Sequence, residues 1–230
     1  TNNFILNGDT TFGGATNYVI NGVISDGGNG YSLTKIGAGT LSLGGSNTFT
    51  GATLINVGTL NLTNANALGS GSNKSSSITV AATGAALGLN FTTNTLANDN
   101  DITLNGTGIA SAGALVASTS TDTLINSIIL GSNTTIGGAS SMILNGTITD
   151  NGNGFSLTKV GAGTTTLNAA NTYSGGTTIN TGTLNLLNAN ALGTTGNIAV
   201  NNAAVLSFNL GGNTLANTNT ITLSNTAGLT

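Results

Sequence analysis

The stretch LTKIGAGTLSL at residues 33–43, continued by NTFTGATLINVGTL at residues 47–60, returns as LTKVGAGTTTL at residues 157–167 and NTYSGGTTINTGTL at residues 171–184. In both copies apolar residues alternate with small polar ones over short runs, which is typical of strands that have one buried face. Threonine, isoleucine, valine and leucine favour sheets, whereas glycine and asparagine at this density oppose helix. The sequence therefore predicts an all-β protein with no helical segment.

The repetition extends well beyond these stretches. Of the 69 residue pairs that open the two copies, 41 are identical, and they align without a gap at a separation of 124 residues. The separation then shrinks because the first copy carries extra residues around Ser70–Ser77, a glycine- and serine-rich stretch that predicts an enlarged surface loop. We interpret residues 1–230 as a single segment of a longer protein, with repeat unit one at residues 1–124 and an incomplete repeat unit two at residues 125–230.

A parallel β-solenoid explains a long, closely kept repeat, because each coil stacks on its neighbour and like side chains lie above one another. With about 20 residues and about 4.8 Å per coil, one unit is expected to make about six coils, and the chain about eleven coils over about 50 Å. The absence of proline agrees with strands that are paired on both sides. A closed sandwich or barrel is the alternative, but such folds rarely repeat so long a unit so closely.

Composition removes most catalytic chemistry. The chain has no His, Cys, Arg or Glu, and three lysines and six aspartates give it a net charge of -3. It therefore lacks an imidazole base, a thiolate nucleophile and the usual zinc ligands. Three scattered lysines cannot neutralise a nucleic-acid backbone, and no apolar run reaches the roughly 18–20 residues that span a bilayer. We predict no enzymatic activity, no cofactor, no nucleic-acid partner and no membrane insertion by this segment.

The repeated stretches resemble the autotransporter-associated β-strand repeat, or passenger-associated transport repeat, of bacterial autotransporter passengers and giant surface proteins. The resemblance rests on the glycine spacing, the lysine and the Asn-Thr-aromatic step. It implies a right-handed parallel β-helix, extracellular exposure and a stalk or scaffold role, and it brings no enzymatic residues. The structural motif consists of Gly37, Gly39, Asn47, Gly51 and Gly58 in unit one and Gly161, Gly163, Asn171, Gly175 and Gly182 in unit two.

These glycines stay in place although neighbouring residues differ between the units, as Leu41 differs from Thr165. Glycine kept beside changing neighbours indicates corners that need a positive φ or a close approach of two backbones. Aromatic residues, in contrast, interchange with other apolar residues, as in Phe4 and Ile128 or Tyr18 and Met142. Such exchanges keep bulk rather than ring chemistry, so we expect these positions in the core.

Asp99 and Asp101 are weak candidates for a metal site or a glycosidase pair. Two residues apart on a predicted strand, their carboxylates would point to one face. The corresponding residues of unit two are Thr218 and Thr220, and no basic partner or aromatic cluster accompanies the pair. We therefore expect a solvated strand end and assign no metal site.

The sequences DGGNG at residues 26–30 and DNGNG at residues 150–154 also recur. They predict turns capped by an aspartate, with a calcium loop as the alternative. Lys35 and Lys159 recur as well, and we expect them to pair across a corner with the aspartates that open these turns. An exposed pair of this kind contributes only about 0–1 kcal/mol, so we interpret the lysines as a solubility or edge feature.

The whole pattern predicts a structural extracellular scaffold: the stalk, fibre or adhesin passenger of a bacterial surface or secreted protein. Its partners are expected to be itself or further repeats, through end-to-end or lateral packing into filaments, and a host or neighbouring-cell surface. Neither end carries a polar cap, and open strand edges promote association. A carbohydrate-binding or carbohydrate-active β-helix is the main alternative. An ice-binding solenoid is a minor one, because Thr-x-Thr steps such as residues 48–50 occur without recurring in every coil.

Overall fold

The structure is a computed structural model, and it describes residues 2–81, 83–91, 95–216, 219–224 and 228–230. Within these residues the chain winds as a parallel β-solenoid of about 9 turns, with rungs about 23 residues apart. Short strands bond in parallel to the strands of the coil before and the coil after. The predictions of an all-β protein and of a β-solenoid are confirmed.

The rungs form three columns, which we call face 1, face 2 and face 3. Face 1 comprises the strands Phe4–Ile5, Ile24–Ser25, Asp122–Leu124, Met142–Leu144, Thr164–Leu167, Thr183–Leu186, Val205–Phe208 and Gly228–Leu229. Between its second and third strands, single backbone hydrogen bonds and one bridge continue the column past Thr48, Asn66 and Leu96. Face 1 is therefore continuous along the axis although it is not strand throughout.

The other two faces share one long strand, Ile128–Gly138, which runs round the corner between them. Face 2 comprises Thr10–Phe12, Leu33–Lys35, Thr53–Ile55, Ile78–Val80, Ile102–Gly106, the first part of the long strand and Ile148–Thr149. Face 3 comprises Tyr18–Ile20, Thr40–Leu43, Gly58–Leu62, Ala85–Leu89, Leu115–Ala117, the last part of the long strand, Leu157–Lys159, Thr177–Ile179, Ile198–Val200 and Ile221–Leu223.

The core lies inside the coils and is built by stacking like residues. On face 3, Leu41, Leu60, Leu87, Leu115 and Ile136 lie over one another in register, and each is at most 2% exposed. The alternate residues of these strands point outward and are mostly small or polar. Fully burying one such apolar side chain contributes about 1.5–3 kcal/mol, so the stacked core stabilises every coil through its neighbours.

The coils are longer and fewer than predicted. The coil from Leu33 to Thr53 has the expected length, but others carry insertions. After Leu68, the strands Gly69–Ser70 and Asn73–Lys74 pair antiparallel as a hairpin, which occupies the stretch expected to be a loop. A second excursion holds the 3-10 helix Ile109–Ser111, the one helical segment among the described residues. The expectation of about eleven coils is wrong because these excursions lengthen the path without adding rungs, whereas the expected scarcity of helix is confirmed.

The two end coils leave part of the core uncovered. Phe4 is 39% and Tyr18 51% exposed, whereas Ile128 and Met142, which correspond to them in unit two, are 1% exposed. A cavity of about 460 Å³ opens beside Phe4, Phe12 and Tyr18 at this end. The prediction that these positions lie in the core is therefore confirmed only in unit two, where further coils cover them on both sides.

In the described part of the chain, no helix is long and apolar enough to cross a membrane.

Candidate functional site

The repeated chemistry of the chain lies in the corners between faces. In the described ranges, no group of three or more acidic, histidine or cysteine side chains is placed to hold a metal ion. The charged and amide side chains that recur between the units instead bind backbone groups at the corners. The corners are therefore the candidate functional site, and their function is structural.

The first corner motif is the loop that Asp26 closes. Its side chain is 1% exposed and accepts five hydrogen bonds: from the amides of Gly28, Gly30, Tyr31 and Thr50 and from the Thr50 hydroxyl, at 2.8–3.1 Å. Burial by itself would raise the pKa of Asp26, but the hydrogen bonds from Thr50, Gly28 and Tyr31 outweigh it and lower the pKa to about 2. All five groups around the carboxylate are hydrogen-bond donors. They stabilise the ionised side chain and would repel a calcium ion.

Unit two repeats this loop. Asp150, which is fully buried, accepts from the amides of Gly152, Gly154, Phe155 and Ser174 and from the Ser174 hydroxyl. Burial opposes ionisation here too, and the Ser174 and loop donors hold the pKa of Asp150 below its usual value. The aspartate thus ties its own loop to the next coil, because Ser174 belongs to the following turn.

The second corner motif corrects our expectation for the lysines. Lys35 does not pair with Asp26: its side chain is 2% exposed, and its ammonium donates to the carbonyl oxygens of Ile36, Gly37 and Val57 at 2.8, 2.7 and 3.0 Å. Val57 belongs to the next coil, so the lysine joins two coils from inside. Burial lowers the pKa of Lys35.

Lys159 repeats this arrangement and likewise does not pair with Asp150. It is 1% exposed and donates to the carbonyl oxygens of Val160, Gly161 and Thr181 at 2.8, 2.8 and 3.2 Å. Burial lowers its pKa to about 8. The expected exposed ion pairs are therefore wrong in both units, because backbone carbonyls and not carboxylates satisfy the buried ammonium groups.

The third corner motif is a buried asparagine. The side-chain oxygen of Asn47 accepts from the amide of Ile24 at 2.8 Å, and its amide group donates to the carbonyl of Ala67 at 2.6 Å. Asn171 makes the same two bonds, to Ile148 and Ala191. One asparagine therefore connects three successive coils at a corner that has no regular strand.

The motif glycines lie where successive coils touch. Gly37, Gly58, Gly161 and Gly182 have φ between +71° and +78°, a backbone conformation that other L-residues rarely adopt. A Cβ atom at Gly58 would also lie 2.7 Å from the Lys35 ammonium nitrogen. Glycine therefore provides the left-handed corner and the space for the lysine. The remaining motif glycines have backbone atoms of the preceding coil against the position of the missing Cβ: Gly39, Gly51, Gly163 and Gly175.

The weak candidates Asp99 and Asp101 lie outside any strand, in the bend that precedes Ile102–Gly106. The expectation that they lie on a strand is wrong, and so is the expectation that no basic partner is present, because Asp99 forms an ion pair with Lys74 on the hairpin. Asp101 is exposed. Of their counterparts in unit two, Thr218 lies outside the described residues. The aromatic Phe91, which precedes them in the chain, is fully buried and offers no ring surface to a sugar.

Sequence reasoning missed several buried polar residues. It gave neither Thr50 nor Ser174 a role beside the loop aspartates, although a hydroxyl is kept at both positions. It also missed the buried Asn98 and Asn126, which donate to backbone carbonyls of neighbouring coils. Asp122 is completely buried as well; burial, opposed in part by a hydrogen bond from Ser120, raises its pKa. No signal in the sequence marks Asn98 and Asn126, because the groups to which they donate are backbone carbonyls in other coils.

The Asp26 loop predicts an acid-sensitive contribution to stability. The pKa of Asp26 is about 2 in the folded state and about 3.9 in an unfolded chain, so its contribution is complete above pH 4 and is lost as the pH falls toward 2. Asp26→Asn should destabilise the protein by about 1–3 kcal/mol at pH 7 and flatten the loss between pH 4 and pH 2. Urea denaturation followed by circular dichroism at each pH measures both effects. Asp101→Asn is the matched control, and an equal response of the two variants would contradict the assignment.

Lys159 predicts a second rise of stability with pH, in the alkaline range. Because its pKa falls to about 8 on folding, the folded state loses a proton that the unfolded chain keeps up to about pH 10.4, so stability should rise with pH across this interval. Lys159→Met should reduce that rise and also destabilise the protein by about 1–3 kcal/mol, since three carbonyl groups lose a donor. The same denaturation experiment from pH 7 to pH 10 tests this. Lys74→Met removes only a surface ion pair, and a loss as large as that of Lys159→Met would refute the corner role.

The comparisons with known proteins agree with this geometry. The family model named Passenger-associated-transport-repeat matches residues 33–67 and 157–186, which contain the lysine, asparagine and glycine corners of the two units. The chain is 40% identical over 116 residues, 47% of its length, to "Adhesin BmaC autotransporter" of Brucella suis biovar 1 (strain 1330), and the match spans 3% of that relative. No solved structure matches the chain. The chain is thus a β-solenoid in which each of the two units contains one stretch that matches the passenger-associated-transport-repeat model.

Proposed function

We propose that this chain is a segment of the extracellular stalk of a bacterial surface protein of the autotransporter type, and that it serves reach and rigidity rather than catalysis. The main support for the proposal is that the charged side chains which recur in both units are buried and bind backbone groups. Asp26, Asp150, Lys35 and Lys159 are all at least 98% buried and bind backbone groups. Side chains used in this way hold coils together and are not free to bind or transform a ligand.

The similarity to the Brucella protein, which is an adhesin and autotransporter, supports an outer-surface location and a role in adhesion. Because the match covers a small part of that protein, adhesion belongs in this proposal to other parts of the molecule. The corner motifs supply what a stalk needs, since each one joins a coil to the next by hydrogen bonds that water does not reach. The carbohydrate-binding alternative draws no support from Asp99, which is paired with Lys74.

The uncovered ends support a further part of the proposal, that other coils of the same kind stack on both. At one end the inward-facing Phe4 and Tyr18 lie open, and at the other Leu223 is 45% and Leu229 47% exposed. Within the chain, Ile128, the counterpart of Phe4, lies between Ile102 and Ile148 and is 1% exposed. A unit-to-unit junction of this kind would cover the open end in the same way.

The stalk proposal predicts that a whole unit can be removed from the natural surface protein without loss of adhesion. Deleting residues 10–133 joins Asp9 to Thr134, the counterpart of Thr10, and should shorten the rod by about 26 Å at about 4.8 Å per coil. Display of a distal tag on intact cells, measured by flow cytometry, and attachment of the cells should both persist. Deleting residues 10–71 breaks the register and should abolish display. Loss of attachment by a fully displayed 10–133 deletion would place the binding site in this segment and overturn the proposal.

The stacking proposal predicts that the purified chain associates through its ends. Sedimentation velocity should show a mass that rises with concentration, and the variant Phe4→Lys/Tyr18→Lys should remain monomeric, because two ammonium groups would have to be desolvated in the contact. Ile125→Lys is the control, since Ile125 is 48% exposed in the middle of the solenoid. A wild-type chain that stays monomeric at every concentration, or a control that dissociates equally, would contradict end-to-end stacking.

A further inference from the structure

The repeat unit and the coil do not have commensurate lengths. Equivalent residues of the two units are 124 apart, whereas successive rungs are about 23 residues apart, so one unit contains five coils and a remainder of about one face. The strand pairings show where that remainder goes. Each strand of unit two from Ile128 to Leu223 lies on the face next to the one that its counterpart occupies in unit one.

The shift from face 1 to face 2 is seen at the start of the units. Phe4 and Ile24 pair with each other on face 1. Their counterparts Ile128 and Ile148 also pair with each other, but they continue the column of Ile102 on face 2. The pairing within the unit is therefore kept, while the column that carries it changes.

The remaining strands shift in the same sense. Leu33–Lys35 lies on face 2, and its counterpart Leu157–Lys159 lies on face 3. Thr40–Leu43 lies on face 3, and its counterpart Thr164–Leu167 lies on face 1. Later pairs follow the same rule, with Ile78–Val80 on face 2 against Ile198–Val200 on face 3. Because the strands from Ile128 to Leu223 all obey it, the shift is a rotation of the unit by one third of a turn.

We infer that the 124-residue unit is a one-third-turn screw element, which presents any surface feature it carries on a new side of the rod in each copy. The loop tips at residues 27–30 and 151–154 are exposed and show the effect. The first follows a face 1 strand, and the second follows a face 2 strand. In an array of such units the same side recurs in every third copy.

This inference deepens the proposed stalk function and rests on it for its meaning. A large partner, such as another cell surface, contacts only one side of the rod. Because the units are rotated, it meets the loop tip of some unit whichever side it approaches. Two rods that lie side by side, in contrast, bring the same unit surface into contact only once in three units. The screw therefore favours radial display to a large partner over extended lateral packing between copies of the chain.

The chain itself offers a test, because it contains no native cysteine. Thr34 and Thr149 lie in one column of face 2, linked rung by rung through Leu54, Thr79, Thr103 and Ile129. Thr158, the counterpart of Thr34 in unit two, lies on face 3. Thr34 and Thr158 lie at the middle of their strands and Thr149 at the end of its two-residue strand, and all three are half-buried with outward-pointing side chains. Cysteine fits these positions, although at Thr149 the hydrogen bond that the hydroxyl accepts from the amide of Asn151 is weakened.

Spin labels on Thr34→Cys/Thr149→Cys should give a distance of about 24 Å by pulsed electron resonance, which is five coils at about 4.8 Å. Labels on Thr34→Cys/Thr158→Cys should lie about 35 Å apart, because the width of the rod is added to a similar rise. Circular dichroism identical to the wild type shows that each variant is folded.

Equal distances for the two pairs would place both units in phase and overturn the inference. So would a longer distance for the Thr34–Thr149 pair. The measurement uses the purified chain and does not depend on secretion or adhesion, so the stalk proposal and the screw inference can fail separately. If the deletion of a unit abolishes attachment while the distances hold, the screw remains and only its role in display is lost.

Discussion

The hydrogen bonding of each coil to the coil before and the coil after it is the constraint on which the rest of this structure depends. A parallel rung leaves its N–H and C=O groups unpaired on both edges, and only a further rung satisfies them. Sequence features that would interrupt this pairing are absent or displaced. There is no proline, and the inserted residues lie between one rung and the next, outside the rung pairing. The hairpin Gly69–Lys74, which follows Leu68, is an example. The fold therefore accommodates length changes at the corners, including the corner that the long strand Ile128–Gly138 rounds.

Corners are where a solenoid of short strands needs help, because regular pairing stops there. The repeat solves this with charged and amide side chains that reach backbone groups in the next coil. Asp26 takes up amide donors, Lys35 supplies carbonyl oxygens with a donor, and Asn47 does both. Burying an ion costs free energy, and these ions are accepted because the backbone groups they satisfy would otherwise be buried without partners. The corner is stabilised by complementarity between side chain and backbone rather than by pairs of opposite charges.

The sequence was sufficient to predict the β-solenoid, because alternation and a long, ungapped repeat both reflect stacking along one axis. The interior of the corners was harder to predict. Placing Thr50 beside Asp26 requires the local coil length, 24 residues between these two, and an average near 20 puts a different residue there. Lys35 was assigned to the surface because lysine is rarely buried, yet its charge is satisfied by carbonyl groups that every sequence carries and none reveals. A side chain whose partners are backbone groups cannot be recognised from the residue pattern, because every residue has such groups.

The same dependence on backbone partners explains how one unit can follow another with a rotation of one third of a turn. A corner built on an ion pair between coils would need the correct residue in the coil above, and that residue would be fixed to one face. Lys159 and Asp150 bind backbone groups and hydroxyls supplied within their own unit, so they form equally well on whichever face the unit begins. At the junction, Ile128 requires only an apolar neighbour below it, and Ile102 provides one. Units of this kind need not match the coil period, because their specific contacts are internal and the contacts between them are general.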